Sequence, residues 1–238
     1  MTTLQEAFAS GQIDLQGQFM LGSNYTFLVN VLHENQTYAG VYKPQKGEQP
    51  LWDFPENSLA GREVCAYILS EFLGWRLVPY TILRQDGPYG PGSLQQFIEY
   101  NPNNHYFSFK PEDKARLNPV ALFDHLVNNA DRKGSHVLLE KRTRRLYAID
   151  HGLCFHAEDK LRTVIWDFAG QDIDEAYLGD IARMCDSLAL PSALLADFER
   201  YLMPEELAAL VERGQFLLAT AKFPLPPQNR RTFPYPPL

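Results

Sequence analysis

This sequence predicts an α+β fold of two lobes, a β-rich lobe followed by a mostly helical one, and three observations point to it. Short apolar runs of period two, separated by Gly, Pro and Asn turns, fill most of the first hundred positions. After Asn101-Pro102-Asn103-Asn104 the apolar period becomes helical. Two carboxylates, Asp131 and Asp150, then stand on either side of one short hairpin. The lobes are expected at 1–100 and 101–238, with a proline-rich tail from about 223.

Residues 4–9 read as a short helix stopped by Gly11. From 17 to 43 the pattern is strand-like: Phe27, Val29 and Val31 alternate, a polar turn follows at 33–36, and the chain returns over 38–43. A Pro- and Gly-containing loop runs from 44 to 57. Ser58 then reads as an N-cap for a helix over 59–73, closed by Gly74. Strand-like segments follow at 77–84 and 94–100, with a Gly/Pro turn at 87–92 between them. In the second half, helices are predicted at 118–129, 173–188, 192–201 and 205–219. The tail is too rich in proline for helix or strand and is expected to be extended.

Bulk composition excludes several classes. The 238 residues, 45% apolar and 13% aromatic, can fill one large domain or two small lobes. A net charge of −7 argues against nucleic acid as the main partner, because phosphate backbones need a basic surface. Cys65, Cys154 and Cys185 form no C-x-x-C pair, so neither a disulfide framework nor a zinc site is expected. No run approaches the roughly 18 apolar residues of a membrane span. The first residues lack the regions of a signal peptide, and a cytoplasmic protein is expected.

The chemistry is concentrated in Asp131-Arg132-Lys133-Gly134-Ser135-His136 and, after the hairpin, Tyr147-Ala148-Ile149-Asp150-His151-Gly152. A kinase builds a hydroxyl-orienting base and a Mg²⁺ ligand around one phosphate from two such loops. In that reading Asp131 orients the acceptor hydroxyl, Lys133 neutralises the γ-phosphate, Asp150 holds the metal and His136 assists. Each piece taken alone is a solvated turn or a cap; the pair at this spacing carries the signal.

A protein-kinase-like fold asks three things of the first lobe. Lys43 ends the strand-like run 38–43 and shares a face with Ala39 and Val41, where an adenine ring would lie. Seen alone it is an edge-strand lysine. Glu63 sits among Leu59, Ala66 and Tyr67, where a carboxylate is costly to desolvate unless a cation meets it. Lys43 is the candidate cation, and a carboxylate in water at the margin of the stripe is the alternative. Gly22, Ser23 and Asn24 form a turn able to present N–H groups to phosphates, as any hairpin turn does, without G-x-G-x-x-G or Walker A spacing. Phe97, Ile98 and Glu99 make the expected hinge against which, with Val41, adenine would lie.

The segments 129–136 and 148–155 resemble the phosphatidylinositol 3-/4-kinase superfamily, most of all type II phosphatidylinositol 4-kinases and their small bacterial relatives. Asp131 and Arg132 match the Asp-Arg that opens that family's catalytic loop. Ile149, Asp150, Gly152, Leu153 and Phe155 match its Ile-Asp-x-Gly-Leu-x-Phe metal motif. The resemblance implies ATP, Mg²⁺ or Mn²⁺, and γ-phosphate transfer to an alcohol, with Lys43 on the α/β-phosphates and Glu63 as its partner. His136 replaces the family's metal-binding Asn, and imidazole tolerates Mn²⁺ better than Mg²⁺. That departure leaves three options: a kinase with altered metal preference, a nucleotidyl-transfer variant, or a catalytically weak pseudokinase acting as a nucleotide-binding or interaction module. Asp167-Phe168-Ala169-Gly170 imitates Asp-Phe-Gly but lies too far from the catalytic loop, so 151–170 reads as an activation or substrate segment.

The acceptor class stays open between lipid, protein and small molecule. Lys141-Arg142-Thr143-Arg144-Arg145 is the dense basic cluster, either a contact for anionic headgroups or a solvated hairpin tip. The tail is a candidate docking segment for a protein partner.

Overall fold

The computed structural model describes residues 3–19 and 24–238. Helix α1 (Leu4–Ser10) precedes strands β1 (Gln12–Gln18), β2 (Phe27–His33) and β3 (Gln36–Pro44); helix α2 (Leu59–Phe72) follows, then β4 (Thr81–Gly87) and β5 (Gly90–Gln96). The strands form one antiparallel sheet in the order β1-β2-β3-β5-β4. Alternation works as the sequence predicts. Phe27, Val29, Val31, Tyr42 and Leu94 point to one face and close a core with Ala7 and Phe8 of α1. On β3 the residues Gly40, Tyr42 and Pro44 are buried, which leaves Ala39, Val41 and Lys43 on the opposite face.

Several expected boundaries move, each for a local reason. Strand β1 lies earlier than the strand-like run starting at 17, because Gln12–Gln18 pairs with β2 as an edge strand with few apolar residues to signal it. The stretch 87–92 is mostly strand rather than turn. A Cβ on Gly87 or Gly92 would come within 3 Å of the Tyr42 ring, so these glycines make room for that ring, and the Tyr42 hydroxyl donates to the Gly90 carbonyl at 2.6 Å. Strand β5 consequently ends at Gln96, short of the expected 100. Ser58 makes no side-chain cap on α2. The carboxylate of Glu48 takes its place, accepting the N–H groups of Leu59 and Ala60 at 3.2 and 3.0 Å.

The second half holds α3 (Pro111–Ala115), α4 (Asn118–Val127), the hairpin β6 (Val137–Leu139) and β7 (Leu146–Ala148), and helices α5 (Glu175–Ala189), α6 (Ala193–Phe198) and α7 (Pro204–Thr220). Its core runs through α4, the hairpin, and the inner faces of α5, α6 and α7. Cys65, Ala66, Leu69 and Leu73 of the α2 region belong to this same core. Helix α2 therefore bridges the sheet and the helical half, which matters for the site below. Among the described residues, no helix is long and apolar enough to cross a membrane.

His125 lies in this core, edge-on to Trp166 and Phe223. Burial lowers its pKa from 6.5 to about 4, against a weaker opposing pull from Asp159. Below pH 6.5 the unfolded chain then binds a proton that the folded chain refuses, so stability falls as pH drops from 6.5 towards 4. His125→Phe is expected to reduce the stability loss between pH 7 and pH 5 by about 2 kcal/mol, read from urea midpoints at both pH values.

Candidate active site

Helix α4 ends on Asn128 in the left-handed conformation (φ 54°, ψ 53°), which asparagine tolerates better than most residues. Its amide donates to the carbonyls of His156 and Glu158 at 2.9 and 2.7 Å. The chain is thereby turned into the loop 129–136. There Asn129 accepts the Asp131 N–H at 2.9 Å and donates to Asp124 at 3.1 Å.

Arg132 holds this loop to the second one. Its guanidinium is fully buried, meets both carboxylate oxygens of Asp124 at 3.0 Å, and donates to the carbonyls of His136 (3.1 Å) and Ile149 (2.7 Å). It also lies 2.8 Å from His151 Nε2. Burial would lower the Arg132 pKa, but the Asp124 carboxylate overcomes this and raises it. One guanidinium, anchored by its ion pair to Asp124, thus holds the loop of Asp131 against the loop of Asp150 through Ile149 and His151. Arg132→Met, leaving Asp124 buried without a cation, is expected to cost about 3–5 kcal/mol in urea denaturation.

Lys43 reaches from β3 into the gap between these loops and α2. Its ammonium contacts Glu63 and, at 2.9 Å, Asp150. Burial opposes its charge, yet the carboxylates of Asp150 and then Glu63 outweigh burial and raise its pKa. Asp150 responds in the opposite sense: burial would raise its pKa, and Lys43 holds it well below the usual carboxylate range. The backbone of Asp150 is itself left-handed, at φ 64°.

Asp131 and Lys133 face each other at 3.3 Å (Oδ2 to Nζ). Burial pushes the Asp131 carboxyl up to about 6, against a downward pull from Lys133. His136 Nδ1 lies 3.0 Å from the Asp131 carbonyl and 3.5 Å from the Lys133 backbone nitrogen, and its Nε2 lies 3.1 Å from Asp150 Oδ2. Burial lowers the His136 pKa to about 4, against an opposing pull from Asp150. Donor atoms of Asp131, His136 and Asp150 all lie within 4.8 Å of one another, and three carboxylates here face only two lysines. The donor set fits a divalent ion with mixed oxygen and imidazole ligands.

Helix α2 is held where Glu63 can meet Lys43. Arg62, fully buried beside Glu63, donates to the Cys154 carbonyl at 2.6 Å and pairs with Glu206 of α7 at 2.5 Å. Gly61 packs on Tyr201, whose ring would lie 2.9 Å from any added Cβ. The helix is bolted to the helical half rather than resting on the sheet alone.

Lys43, Glu63, Asp131, Lys133, His136 and Asp150 are therefore brought to one place. Val41 lies on the Lys43 face of β3. At the expected hinge, Phe97 donates its N–H to Ala39 and Ile98 is buried, while Glu99 points outward to Lys141 and its carbonyl accepts the Lys141 N–H at 2.9 Å. Gly22 and Ser23 lie outside the described residues. Asn24 accepts the N–H of Gln49 at 2.8 Å, tying its turn to the loop before α2. The basic cluster is largely engaged within the chain. Lys141 pairs with Glu99, Arg144 with Asp113, and Arg145 donates to the Arg76 carbonyl. Asp167 accepts the Tyr106 hydroxyl and Phe168 packs on Phe223, so that Asp-Phe pair is structural.

Sequence reasoning missed Asp124, Arg62 and Glu48. Asp124 had a readable signal: a carboxylate inside Leu122-Phe123-Asp124-His125-Leu126-Val127 needs a buried cation nearby. Arg62 had none, since its partners Cys154 and Glu206 lie 92 and 144 positions away, and the Glu48 cap was masked by Ser58, a good capping residue directly before the helix.

No family model matches the sequence. Two solved structures share the fold over most of both chains. Hydra Fam20 with sugar gives a TM-score of 0.53 at 13% identity, covering 91% of this chain and 86% of that one. The proinflammatory kinase CtkA of Helicobacter pylori gives 0.54 at 12% identity, covering 90% and 94%. At such identity the likeness speaks for the fold, which is α+β and protein-kinase-like. Among curated proteins, Protein Rv2133c of Mycobacterium tuberculosis (strain ATCC 25618 / H37Rv) is 37% identical over 263 aligned residues, covering 96% of this chain and 93% of that protein. This chain belongs to the same family as Protein Rv2133c.

Proposed function

We propose that the chain is an ATP-dependent phosphotransferase that moves the γ-phosphate to an alcohol. Its site is laid out like that of the phosphatidylinositol 3-/4-kinases, nearest to the type II phosphatidylinositol 4-kinases, between lobes divided near residue 100. One observation carries the reading: a lysine from the sheet, a glutamate from α2 and three donors from two loops converge on one point. An ATP substrate and three unpaired, buried cysteines agree with a cytoplasmic setting.

Lys43 takes the α/β-phosphates, with Glu63 keeping it charged and aimed. Asp150 and His136 would hold Mg²⁺ or Mn²⁺, which supplies charge neutralisation at the phosphates. Asp131 orients the acceptor hydroxyl and takes its proton, while Lys133 stabilises charge on the transferring phosphoryl group. Val41 and the hinge at Phe97, Ile98 and Glu99 receive adenine.

The second reading, a pseudokinase, rests on His136 at the place of the family's Asn. Transfer of label from γ-labelled ATP, with Mn²⁺ or Mg²⁺, separates the two. The phosphotransferase is expected to work better with Mn²⁺, and His136→Asn to move the preference towards Mg²⁺. Binding of nucleotide without turnover under either metal would favour the pseudokinase.

A further inference from the structure

The last residues of the proline-rich stretch after α7 bond to the loop that carries Asp131 and to the segment paired with it. Segment 162–164 runs alongside the catalytic loop: Arg132 donates to the Arg162 carbonyl at 3.0 Å, and Val164 donates to the Arg132 carbonyl at 3.1 Å. Its other edge is taken by the tail. The Thr232 carbonyl accepts the Thr163 N–H at 3.0 Å and the Trp166 indole N–H at 3.3 Å. Arg230 pairs with Asp159 and donates to the Leu161 carbonyl at 2.7 Å. Pro234 is buried, and the Pro237 carbonyl accepts the N–H of Gly134, three residues after Asp131, at 2.8 Å. A Cβ built on Gly134 would meet Phe107 at 2.8 Å and Leu238 at 3.5 Å, so the loop has no slack on that side.

An extended polypeptide docks by pairing its backbone with free donors and acceptors along an exposed edge. Here the edge nearest Asp131 is already paired with the chain's own residues. We propose that residues 230–237 are a built-in strap that occupies the polypeptide edge and restricts the acceptor at Asp131 to a compact hydroxyl compound. That compound is either a free small alcohol or the headgroup of a lipid. The inference rests on the phosphotransferase reading and specifies its acceptor. In the transfer, the acceptor oxygen forms a bond to the γ-phosphorus and passes its proton to Asp131. The bond from that phosphorus to the bridging oxygen breaks, and ADP leaves with the electron pair.

The test uses the full chain in two measurements. Hydrogen exchange at the Gly134 and Thr163 amides is followed with and without ADP and Mn²⁺. Both amides are expected to stay protected by at least about tenfold over free-peptide rates in either condition. Loss of protection on adding nucleotide would show the strap leaving and would overturn the proposal. Labelling from γ-labelled ATP is then compared across three acceptors: a mixture of free polyols, phosphatidylinositol–phosphatidylcholine vesicles, and a degenerate Ser/Thr peptide library. The full chain is expected to leave the peptide library unlabelled, with label in the polyol or the vesicle arm naming the source of the hydroxyl. Peptide labelling by the full chain would overturn the proposal, and so would an absence of label in all three arms. A chain lacking 230–238, its fold checked by circular dichroism, is expected to gain labelling of the peptide library; a folded truncated chain that binds nucleotide, labels the polyol or vesicle arm and still leaves the peptides unlabelled would overturn the strap as the cause. Failure of nucleotide to bind at all would remove the phosphotransferase reading, and the amide protection reports on the strap independently of that.

Discussion

Asp131→Asn is expected to cut phosphoryl transfer by about 10²–10⁴-fold, the usual contribution of a positioned acid–base group, and to leave ATP binding unchanged. The asymmetry follows from placement. Asp131 contacts Lys133, the pair that the proposed function assigns to the acceptor, while Lys43 is paired with Glu63 and Asp150. Asn keeps the size of the side chain, and the Asp131 N–H is held independently by Asn129. The measurement pairs a rate with γ-labelled ATP and a binding isotherm on the same variant. Full activity in the variant would move the base elsewhere.

Asp150→Asn is expected to abolish metal-dependent ATP binding. Asp150 is the residue that both Lys43 and His136 face, so in the proposed function it would join the lysine on the phosphates to the metal ion. Asn is preferable to Ala here because the backbone at this position is left-handed, φ 64°, and Asn occupies that region at low cost. The fold should survive, since Glu63 remains to pair with Lys43. Titration of ATP with Mn²⁺ held in excess, followed by calorimetry, reads the loss directly.

The candidate site was legible to the extent that its chemistry is local. Asp131, Lys133 and His136 lie within six residues, and Asp150 follows one hairpin later, so their spacing carried the signal. The pairing of Lys43 with Glu63 was legible through desolvation: a glutamate on an apolar stripe has to find a cation. The parts that escaped depend on distance along the chain. Arg62 meets Glu206 across 144 positions, and Gly134 meets Pro237 at the far end of the sequence. No period or spacing encodes such contacts. Boundaries failed where a side chain overrode composition, as when Tyr42 drew a Gly-rich turn into strand and Glu48 displaced Ser58 from the helix cap.

We propose that Lys43, Asp150 and His136 form one nucleotide–metal site. Its most direct test is the thermal unfolding of the purified chain with ATP alone and with ATP plus Mn²⁺ or Mg²⁺, beside Asp150→Asn. A metal-dependent rise in Tm, larger with Mn²⁺, that the variant lacks is the expected result. An unchanged Tm under every condition, or a rise that Asp150→Asn shares in full, would contradict it.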